Sequence, residues 1–350
     1  MSEKTYRVGI VGCGGMGRSH AGAWPKTGRA EIVTAADISG DAAARFAEEL
    51  SLPTYYTDFG EMCEKEELDI VSITTWQSVR LEPTVAAAEA GVLGIITEKP
   101  MADSLGAAKD MTAACEQSGT KLVVGHQRRF TPQNCEARRL IQEGAIGEPQ
   151  AMLRRDGLGL LNRGTHEIDE MRYIVGDPEP LWLIGQVSRR TDKWERRVRC
   201  EDLCMAEICF EGGFRGIYES DLPEPGLRGD AIYGSDGQLR RGPDGTIELL
   251  NSKTAGWQTI TPRQSEPNQF QEMLAWIEGD IEEHRNAGRH GCTTIEILMA
   301  IYESLRIKDV VNFPLETRPN PLDLMVEGGA LPVFVEGRYD IRAPFPEQKK

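Results

Sequence analysis

The chain has 350 residues, 40% of them apolar and 27% charged, which are ordinary values for a globular protein and allow two domains with separate cores. Its 55 acidic and 40 basic side chains give a net charge of -15, which argues against nucleic acid or an anionic membrane as the main partner. The polar start leads directly into an apolar strand, and no segment has the roughly 18 apolar residues of a membrane helix, so we expect a cytoplasmic protein.

The eight cysteines do not form a metal or disulfide pattern. Cys200, Cys204 and Cys209 lie closest together, but they contain no CxxC pair and no histidine is near them. We therefore expect reduced cysteines that act as small apolar residues, and no structural metal.

The first motif in chain order joins an apolar strand to a glycine-rich turn. Residues 8–11 lead into Gly12-x-Gly14-x-x-Gly17, and Asp37 ends a second apolar run twenty residues later. In a dinucleotide-binding turn, Gly12 permits the tight bend, Gly14 lets the backbone approach the pyrophosphate, and Gly17 allows the helix to pack on the strand. A glycine-rich turn in any doubly wound fold is the alternative interpretation.

The same motif predicts which dinucleotide is bound. A helix that begins near Met16 directs free amide groups and the positive end of its dipole at the phosphates. The Asp37 carboxylate suits the two ribose hydroxyls of NAD and repels the 2′-phosphate of NADP, and Ile38 and Ser39 add no positive charge. We therefore expect NAD rather than NADP.

Strands and helices alternate through residues 6–125, which predicts a doubly wound parallel sheet covered on both faces. The predicted strands are Tyr6–Gly12, Glu31–Asp37, Thr54–Tyr56, Ile70–Thr75, Gly94–Thr97 and Lys121–Val124. The helices between them include Asp41–Leu50, Pro83–Ala90 and Leu105–Gln117.

The pattern changes after Arg129 to repeated strands with hairpin turns, as at Gly212-Gly213, Gly234–Gly237 and Pro243–Gly245. The helices Asn268–Glu283 and Thr293–Lys308 follow. This order predicts a C-terminal α+β domain with a large, open, mostly antiparallel sheet. Residues after 314 are rich in proline and glycine and are expected to pack as an arm on the body or on a neighbouring subunit. The predicted domains are therefore 1–125, 126–316 and 317–350.

Two segments carry candidate proton-transfer groups. Glu98-Lys99-Pro100 follows a strand of the parallel sheet at its carboxyl end, where doubly wound folds bind ligands, although a surface ion pair of Glu98 would explain it as well. A helix predicted to start near Thr165 presents His166 and Asp169 on one face, with Asn162 at or before its cap. A neutral histidine beside a carboxylate can accept a proton from a hydroxyl group, although capping or packing histidines are common.

Together these motifs resemble the family of glucose-fructose oxidoreductase, inositol dehydrogenase and MocA (Gfo/Idh/MocA), over about residues 6 to 316. The resemblance rests on the glycine turn and on five further segments in fixed order: Glu98-Lys99-Pro100, Gly125-His126-Gln127-Arg128-Arg129-Phe130, Gly144-Ala145-Ile146-Gly147, His166-Glu167-Ile168-Asp169 and the helix Ile297–Ser304. It implies an N-terminal Rossmann domain and an oxidoreductase in which NAD takes hydride from a secondary alcohol of a sugar or cyclitol.

The resemblance also implies roles for individual residues. Lys99 and His166 are the expected catalytic residues, and the peptide bond before Pro100 is often cis in such proteins. The expected substrate-binding residues are Asn162, Asp169, Arg128 and Arg155. The expected cofactor-binding residues are Gly12, Gly14, Gly15, Met16, Gly17, Asp37, Thr74, Trp76, Glu98, Lys99 and Gln127.

The chain departs from the family pattern at three places. Asn162 stands where inositol-dehydrogenase-like members have an aspartate, and because an amide has no useful basicity, a proton relay through this position is in doubt. Thr75 and Arg80 stand where the family usually has proline and histidine, and Trp76 between them either covers the nicotinamide or packs. The link from strand 149–154 to Asn162 is short, which makes Arg155 a candidate pocket residue or part of a solvated turn.

The leading hypothesis is an NAD-dependent dehydrogenase that oxidises a secondary ring hydroxyl of a sugar, glycoside or cyclitol, with His166 and Lys99 exchanging the proton. The alternatives are a redox-neutral glycosidase or lyase that uses tightly bound NAD, and a non-catalytic NAD-dependent sensor. Because one face of the large sheet would be exposed in a monomer, a homodimer or homotetramer is expected.

Overall fold

The computed structural model describes residues 4–156, 159–220, 231–264 and 267–342, and for positions 156 and 336 it describes the backbone alone. Contacts group these residues into two units. The first unit comprises the described residues up to Ala102, Ala107–His126 and Pro267–Cys292. The second comprises Asp103–Gly106 and the remaining described residues of Gln127–Glu266 and of the chain from Thr293 onward.

The first unit is built on a six-stranded sheet in which every neighbouring pair is parallel, with the order β3-β2-β1-β4-β5-β6. Its central strands are almost continuously apolar because helices cover both faces. The predicted doubly wound sheet is therefore confirmed. Its strands are β1 (Tyr6–Val11), β2 (Ala30–Ala36), β3 (Thr54–Tyr56), β4 (Ile70–Ile73), β5 (Gly94–Thr97) and β6 (Lys121–Val124).

The helices begin and end at local sequence signals. Ser39 and Asp58 cap two of them by accepting backbone hydrogen bonds, and Asn268 forms a capping box with Gln271. None of the helices in the described ranges is both long and apolar enough to cross a membrane. They are α1 (Gly15–Ala23), α2 (Gly40–Leu50), α3 (Phe59–Lys65), α4 (Leu81–Glu89), α5 (Leu105–Ser118), α6 (Pro132–Gln142), α7 (Thr165–Ile174), α8 (Gln269–Glu278), α9 (Gly288–Ile307) and α10 (Pro321–Glu327).

Helix α8 belongs to the first unit, although the predicted boundary at residue 126 places it in the second domain. Its residues Phe270, Met273 and Leu274 join the apolar core of the parallel sheet. A Cβ atom added at Gly94 in β5 would lie 2.1 Å from the Met273 side chain, so the helix packs closely on that strand. The order of elements in the sequence does not indicate that the chain comes back to the first unit at α8.

The second unit contains a nine-stranded sheet in the order β16-β15-β14-β13-β7-β12-β11-β8-β17, antiparallel throughout except for the parallel pair β7–β12. The predicted open, mostly antiparallel sheet is confirmed, and the three glycine-containing turns lie between paired strands as expected. The strands of the nine-stranded sheet are β7 (Pro149–Asp156), β8 (Pro180–Ser188), β11 (Leu203–Phe210), β12 (Arg215–Ser220), β13 (Ala231–Gly234), β14 (Gly237–Arg241), β15 (Ile247–Asn251), β16 (Gln258–Ile260) and β17 (Val311–Asn312). A separate small sheet contains β9 (Thr191–Glu195), β10 (Val198–Arg199) and β18 (Val335–Asp340).

Alternation along the strands gives this sheet two different faces. Gly216 and Tyr218 of β12 lie on the face that packs against α7, where a Cβ atom at Gly216 would meet the Met171 sulfur at 2.3 Å. On the opposite face Ile184 and Met205 are each 49% exposed. One face of the sheet is therefore part of the buried core with α7, and the other face has exposed apolar side chains.

The C-terminal segment packs on the second unit of its own chain. Strand β18 pairs in parallel with β9 in a small sheet of order β10-β9-β18. The Asp340 carboxylate accepts hydrogen bonds from the backbone amides of Arg196 and Arg197, at 3.0 and 2.7 Å. Residues 343–350 of the predicted arm lie outside the described residues.

Candidate functional site

The glycine turn in the first unit has the geometry that its sequence predicts. Gly12 has φ +98°, and a Cβ atom there would lie 3.1 Å from the backbone of Thr74 and Thr75. A Cβ atom at Gly17 would lie 2.2 Å from the Gly12 carbonyl oxygen, so a side chain would separate α1 from β1. These two glycines are required by the packing of the turn itself.

The remaining positions of the turn leave space for a ligand. Cβ atoms added at Gly14 or Gly15 would meet no described atom within 4 Å. Among the described residues, no side chain caps α1, and its first turn has no acidic residue. Amide groups at the start of a helix attract phosphate, so this backbone fits a dinucleotide pyrophosphate.

Asp37 lies beside the turn, at the end of β2. Its Oδ2 atom accepts a hydrogen bond from the Cys13 amide at 2.8 Å, and Oδ1 accepts one from the Ser39 amide at 2.9 Å. Ser39 caps α2, and Ile38 is 93% exposed. The carboxylate is thus held rigidly at the edge of the glycine turn, with two neutral residues after it.

The residues that follow β4 support the turn and add polar groups. The Thr74 hydroxyl donates to the carbonyl oxygen of Gly12 at 2.7 Å, so it fixes the turn to the end of β4. Trp76 is 40% exposed. Thr75 Oγ1 and Gln77 Oε1 are buried and have no hydrogen-bond partner among the described residues, as expected if a ligand or water satisfies them. Gln77 is not among the predicted site residues.

Lys99 lies in the segment after β5, and a buried arginine, Arg80, fixes the backbone of this segment. The Lys99–Pro100 peptide bond is cis, as the family resemblance implies. Arg80 donates to the carbonyl oxygen of Glu98 at 2.6 Å and also to that of Pro100. Its Nε and Nη2 atoms donate to the Thr75 carbonyl oxygen at 3.0 and 2.6 Å, so one guanidinium joins the ends of β4 and β5.

In the second unit, α7 carries the other predicted groups. It begins at Thr165 as predicted, and all ten of its residues are buried. His166 lies in its first turn, and Asn162 lies in a π-helical turn, Leu160–Gly164, that leads into it. Turns of this kind are rare and occur often at functional sites.

Glu201 anchors this π-helical turn, although the sequence gives no sign of it. The fully buried Glu201 carboxylate accepts hydrogen bonds from the Leu160 amide at 2.5 Å and from the Tyr302 hydroxyl at 2.6 Å. Burial and the charge of Glu201 raise the pKa of Tyr302 well above its usual value, so its hydroxyl stays protonated and donates. The turn that holds Asn162 is therefore fixed by a distant carboxylate.

Asp169 is predicted to bind substrate, and the structure places its carboxylate in a buried ion pair. Arg129 Nε and Nη2 donate to the two carboxylate oxygens of Asp169 at 2.8 Å each, and Arg129 also contacts Asp177 at 2.8 Å. Burial lowers the pKa of Arg129, but the two carboxylates outweigh it and raise the pKa above its usual value. This geometry gives Asp169 a structural role in addition to any contact with substrate.

The other two acids of α7 are also paired with arginines. Arg128 donates to Glu167 and lies 3.4 Å from Glu170. Arg154 and Arg241 both donate to Glu170. Burial opposes ionisation of Glu170, but the charges of these arginines outweigh it and lower the pKa of the carboxyl group. Arg128 thus belongs to a network of ion pairs around α7.

The strand register places Arg155 away from the face of the large sheet that packs on α7. Arg155 is on the face of the sheet opposite to Arg154, because successive strand residues alternate, and it pairs with Glu219 at 2.7 Å. It therefore does not share the face that packs on α7, and Arg154 takes that place. Gln127 is exposed and groups with the second unit. Within the described ranges, no group of three metal-ligating side chains is present.

Comparisons with known proteins agree with this geometry. Residues 6–126 match the GFO_IDH_MocA family model, described as an oxidoreductase family with an NAD-binding Rossmann fold. The rhizopine catabolism protein MocA of Rhizobium meliloti is 31% identical over 273 residues, which cover 71% of this chain and 84% of that protein. D-apiose dehydrogenase of Paraburkholderia graminis is 25% identical over 338 residues, 87% of this chain and 88% of that protein.

The fold is shared with solved structures as well. Levoglucosan dehydrogenase in complex with NADH has a TM-score of 0.76 at 23% identity and covers 89% of this chain and 100% of its own. At this identity the similarity establishes the fold. Together with the family model, these findings confirm the predicted NAD-binding Rossmann fold.

We expect Asp37→Asn to weaken discrimination between NADH and NADPH. The amide keeps an acceptor for the turn but removes the negative charge that repels a 2′-phosphate, so the ratio of the two dissociation constants should fall about tenfold or more. Fluorescence titration measures both constants without a substrate. Asp41→Asn, an exposed change in the first turn of α2, is the matched control. An unchanged ratio in Asp37→Asn would contradict the assignment.

We expect Asp169→Asn to destabilise the protein by about 3 to 5 kcal/mol, because it leaves the buried Arg129 guanidinium short of one compensating charge. Urea unfolding measures the change. Glu179→Gln is the control. The Glu179 side chain pairs with Arg172 but is 54% exposed, so this ion pair should contribute less than about 1 kcal/mol to the free energy of unfolding. Unaltered unfolding combined with a higher KM for substrate would instead make Asp169 chiefly a substrate ligand.

Proposed function

The chain belongs to the glucose-fructose oxidoreductase, inositol dehydrogenase and MocA family, and from this premise we propose that it oxidises a secondary ring hydroxyl of a sugar, glycoside or cyclitol with NAD. The observation that carries the proposal is the position of Lys99. Lys99 stands two positions after the last residue of β5, at the carboxyl edge of the NAD-binding sheet, in a segment fixed by Arg80. Ligands of doubly wound folds bind at this edge, so the lysine is a candidate to act on the reacting group.

The proposed chemistry transfers a hydride and a proton. NAD held at the glycine turn would supply the hydride acceptor for the carbinol carbon, and an acid-base group of the protein takes the hydroxyl proton as the carbon–oxygen bond becomes a carbonyl. His166 in its neutral form is the proposed acceptor of this proton, and Lys99 is the second proposed proton-exchanging group. Asn162 orients a hydroxyl by donating and accepting hydrogen bonds, because its amide cannot act as a base.

The relatives support a carbohydrate substrate. One acts on D-apiose by name, and the compared structure is of a dehydrogenase named for levoglucosan. The arginine-paired carboxylates of α7 give His166 fixed polar surroundings, which favour a substrate with several hydroxyl groups over an apolar one. Arg128 and Asp169 remain proposed substrate contacts within this network, whereas we no longer propose Arg155.

We expect Lys99→Ala and His166→Ala each to lower kcat by about a hundredfold or more, because each removes a group that exchanges the proton. The assay follows NADH absorbance with a panel of sugars, glycosides and cyclitols. The dissociation constant for NADH should stay within about twofold in His166→Ala, because His166 is not among the expected cofactor-binding residues. Near-normal turnover in either variant would remove that residue from the mechanism, and product formation without accumulation of NADH would favour redox-neutral use of NAD.

We also propose that the exposed face of the large sheet forms an interface between two copies of this chain. Four apolar side chains of this face are 38–49% exposed: Ile184, Met205 and Ile217 on the adjacent strands β8, β11 and β12, and Tyr233 on β13. Two ion pairs on the same face, Arg155–Glu219 and Arg215–Glu207, give it polar groups that could pair across a twofold axis. An apolar surface of this kind is unusual on a monomer.

We expect the double variant Ile184→Glu and Met205→Glu to dissociate this oligomer, because it places charges in the apolar face. Light scattering at micromolar concentration measures the mass. Leu50→Glu, at the end of α2 and 38% exposed, is the control and should leave the mass unchanged. A monomeric mass for the unmodified protein would refute the interface.

A further inference from the structure

A chain of buried polar groups connects the core of the first unit to Lys99. The Trp24 indole donates to Ser72 Oγ at 2.8 Å, and Ser72 Oγ lies 3.2 Å from His20 Nδ1. His20 Nε2 lies 3.2 Å from Glu98 Oε1, and the other carboxylate oxygen of Glu98 accepts a hydrogen bond from the Lys99 amide at 3.2 Å. All four residues of this series other than Lys99 are buried: Trp24, Ser72, His20 and Glu98.

The donors and acceptors in this series of hydrogen bonds place a hydrogen on Nε2 of His20. The Trp24 indole can only donate, so Ser72 Oγ accepts a hydrogen bond from it and keeps its own hydrogen and a second lone pair for His20 Nδ1. An ionised Glu98 carboxylate can only accept, so His20 Nε2 carries a hydrogen and donates a hydrogen bond to it. Phe270 packs edge-on against the imidazole with ring centroids 5.3 Å apart and restricts its rotation.

Glu98 is held from several directions as a carboxylate. Burial opposes its ionisation, but the hydrogen bond from His20 and the charges of His20, Arg80 and Lys99 outweigh burial and lower the pKa of the carboxyl group. Its carbonyl oxygen accepts from Arg80. The carboxylate and the carbonyl of one residue thus fix the backbone on which Lys99 stands.

We propose that His20 is a positioning residue for proton exchange, which acts through the Glu98 carboxylate to fix the backbone of Lys99. Glu98 is then a positioning residue as well, rather than a direct ligand of the cofactor, because its carboxylate is directed at His20 and is 7% exposed. This inference rests on the proposed function, because the proposed reaction provides the substrate hydroxyl group with which Lys99 would exchange a proton. Displacement of a catalytic group by about 1 Å can cost about a hundredfold in rate, so the anchoring of Lys99 has kinetic consequences.

The test compares His20→Ala with His20→Gln, whose amide nitrogen can still donate to Glu98. We expect His20→Ala to lower kcat about tenfold or more and to move the acid limb of the kcat pH profile to higher pH. The direction follows because a carboxyl group that loses its hydrogen-bond donor while it stays buried is harder to ionise. His20→Gln should recover most of kcat and of the pH profile, and NADH binding should stay within about twofold in both variants.

A second measurement does not depend on turnover. Carbon-13 NMR of glutamate carboxyl groups, with Glu98 assigned by its loss in Glu98→Gln, should show the pKa of Glu98 about one unit or more higher in His20→Ala. Ser72→Ala is the matched control, because it removes the partner of the other ring nitrogen and leaves the donor to Glu98. It should shift this pKa much less.

The outcomes separate this inference from the proposed function. An unchanged Glu98 titration in His20→Ala overturns the inference whether or not the protein turns over a sugar. So does a fall in kcat that is equal at every pH and is not recovered by His20→Gln, since that pattern is the result of lost packing. Absence of NAD reduction by the unmodified protein would refute the proposed function, while the NMR titration would still decide whether His20 controls Glu98.

Discussion

Buried arginines hold in place the backbone and side chains on which the chemistry of both units depends. Arg80 joins the ends of β4 and β5 through carbonyl oxygens, and Arg129 holds Asp169 of α7 through both carboxylate oxygens. A guanidinium stays charged and has five donors in one plane, so it can satisfy several acceptors where water is excluded. Lysine, with three donors on a flexible stem, would not replace it at either position. The two segments that carry the proposed catalytic residues, Lys99 and His166, are thus each fixed by a buried arginine.

Buried ion pairs of this kind fix the geometry of side chains more than they increase the free energy of unfolding. The free energy of desolvating a buried ion pair is of the same order as the attraction between its charges, so such a pair adds little to the folding free energy. It does restrict the side chains to one geometry, because any other leaves a charge without a partner. The acids of α7 are arranged in this way, each with an arginine. His166 therefore stands on a helix whose position is fixed by charge as well as by apolar packing.

The two units present different kinds of chemistry. In the first, the expected contacts with NAD are mostly backbone groups at Gly14 and Gly15, with Asp37 as a fixed side chain. Backbone groups of this kind follow from the spacing of glycines, so they are common to many dinucleotide-binding proteins. In the second unit the proposed substrate contacts are side chains, such as Asn162 and His166, and no glycine spacing indicates their partners. Cofactor identity is for this reason better determined than substrate identity.

The sequence by itself determined the parallel sheet, the open antiparallel sheet, the glycine turn with Asp37 and the start of α7, because each depends on residues close together in the chain. It could not place Arg155 on the outer face of the sheet, join Glu201 to Leu160 or pair Asp169 with Arg129. Those partners stand 40 or 41 positions apart, and His20 and Glu98 stand 78 apart, so no local periodicity encodes them. Only the tertiary structure decided them, because a buried charge takes whichever partner the packed chain brings within hydrogen-bond distance.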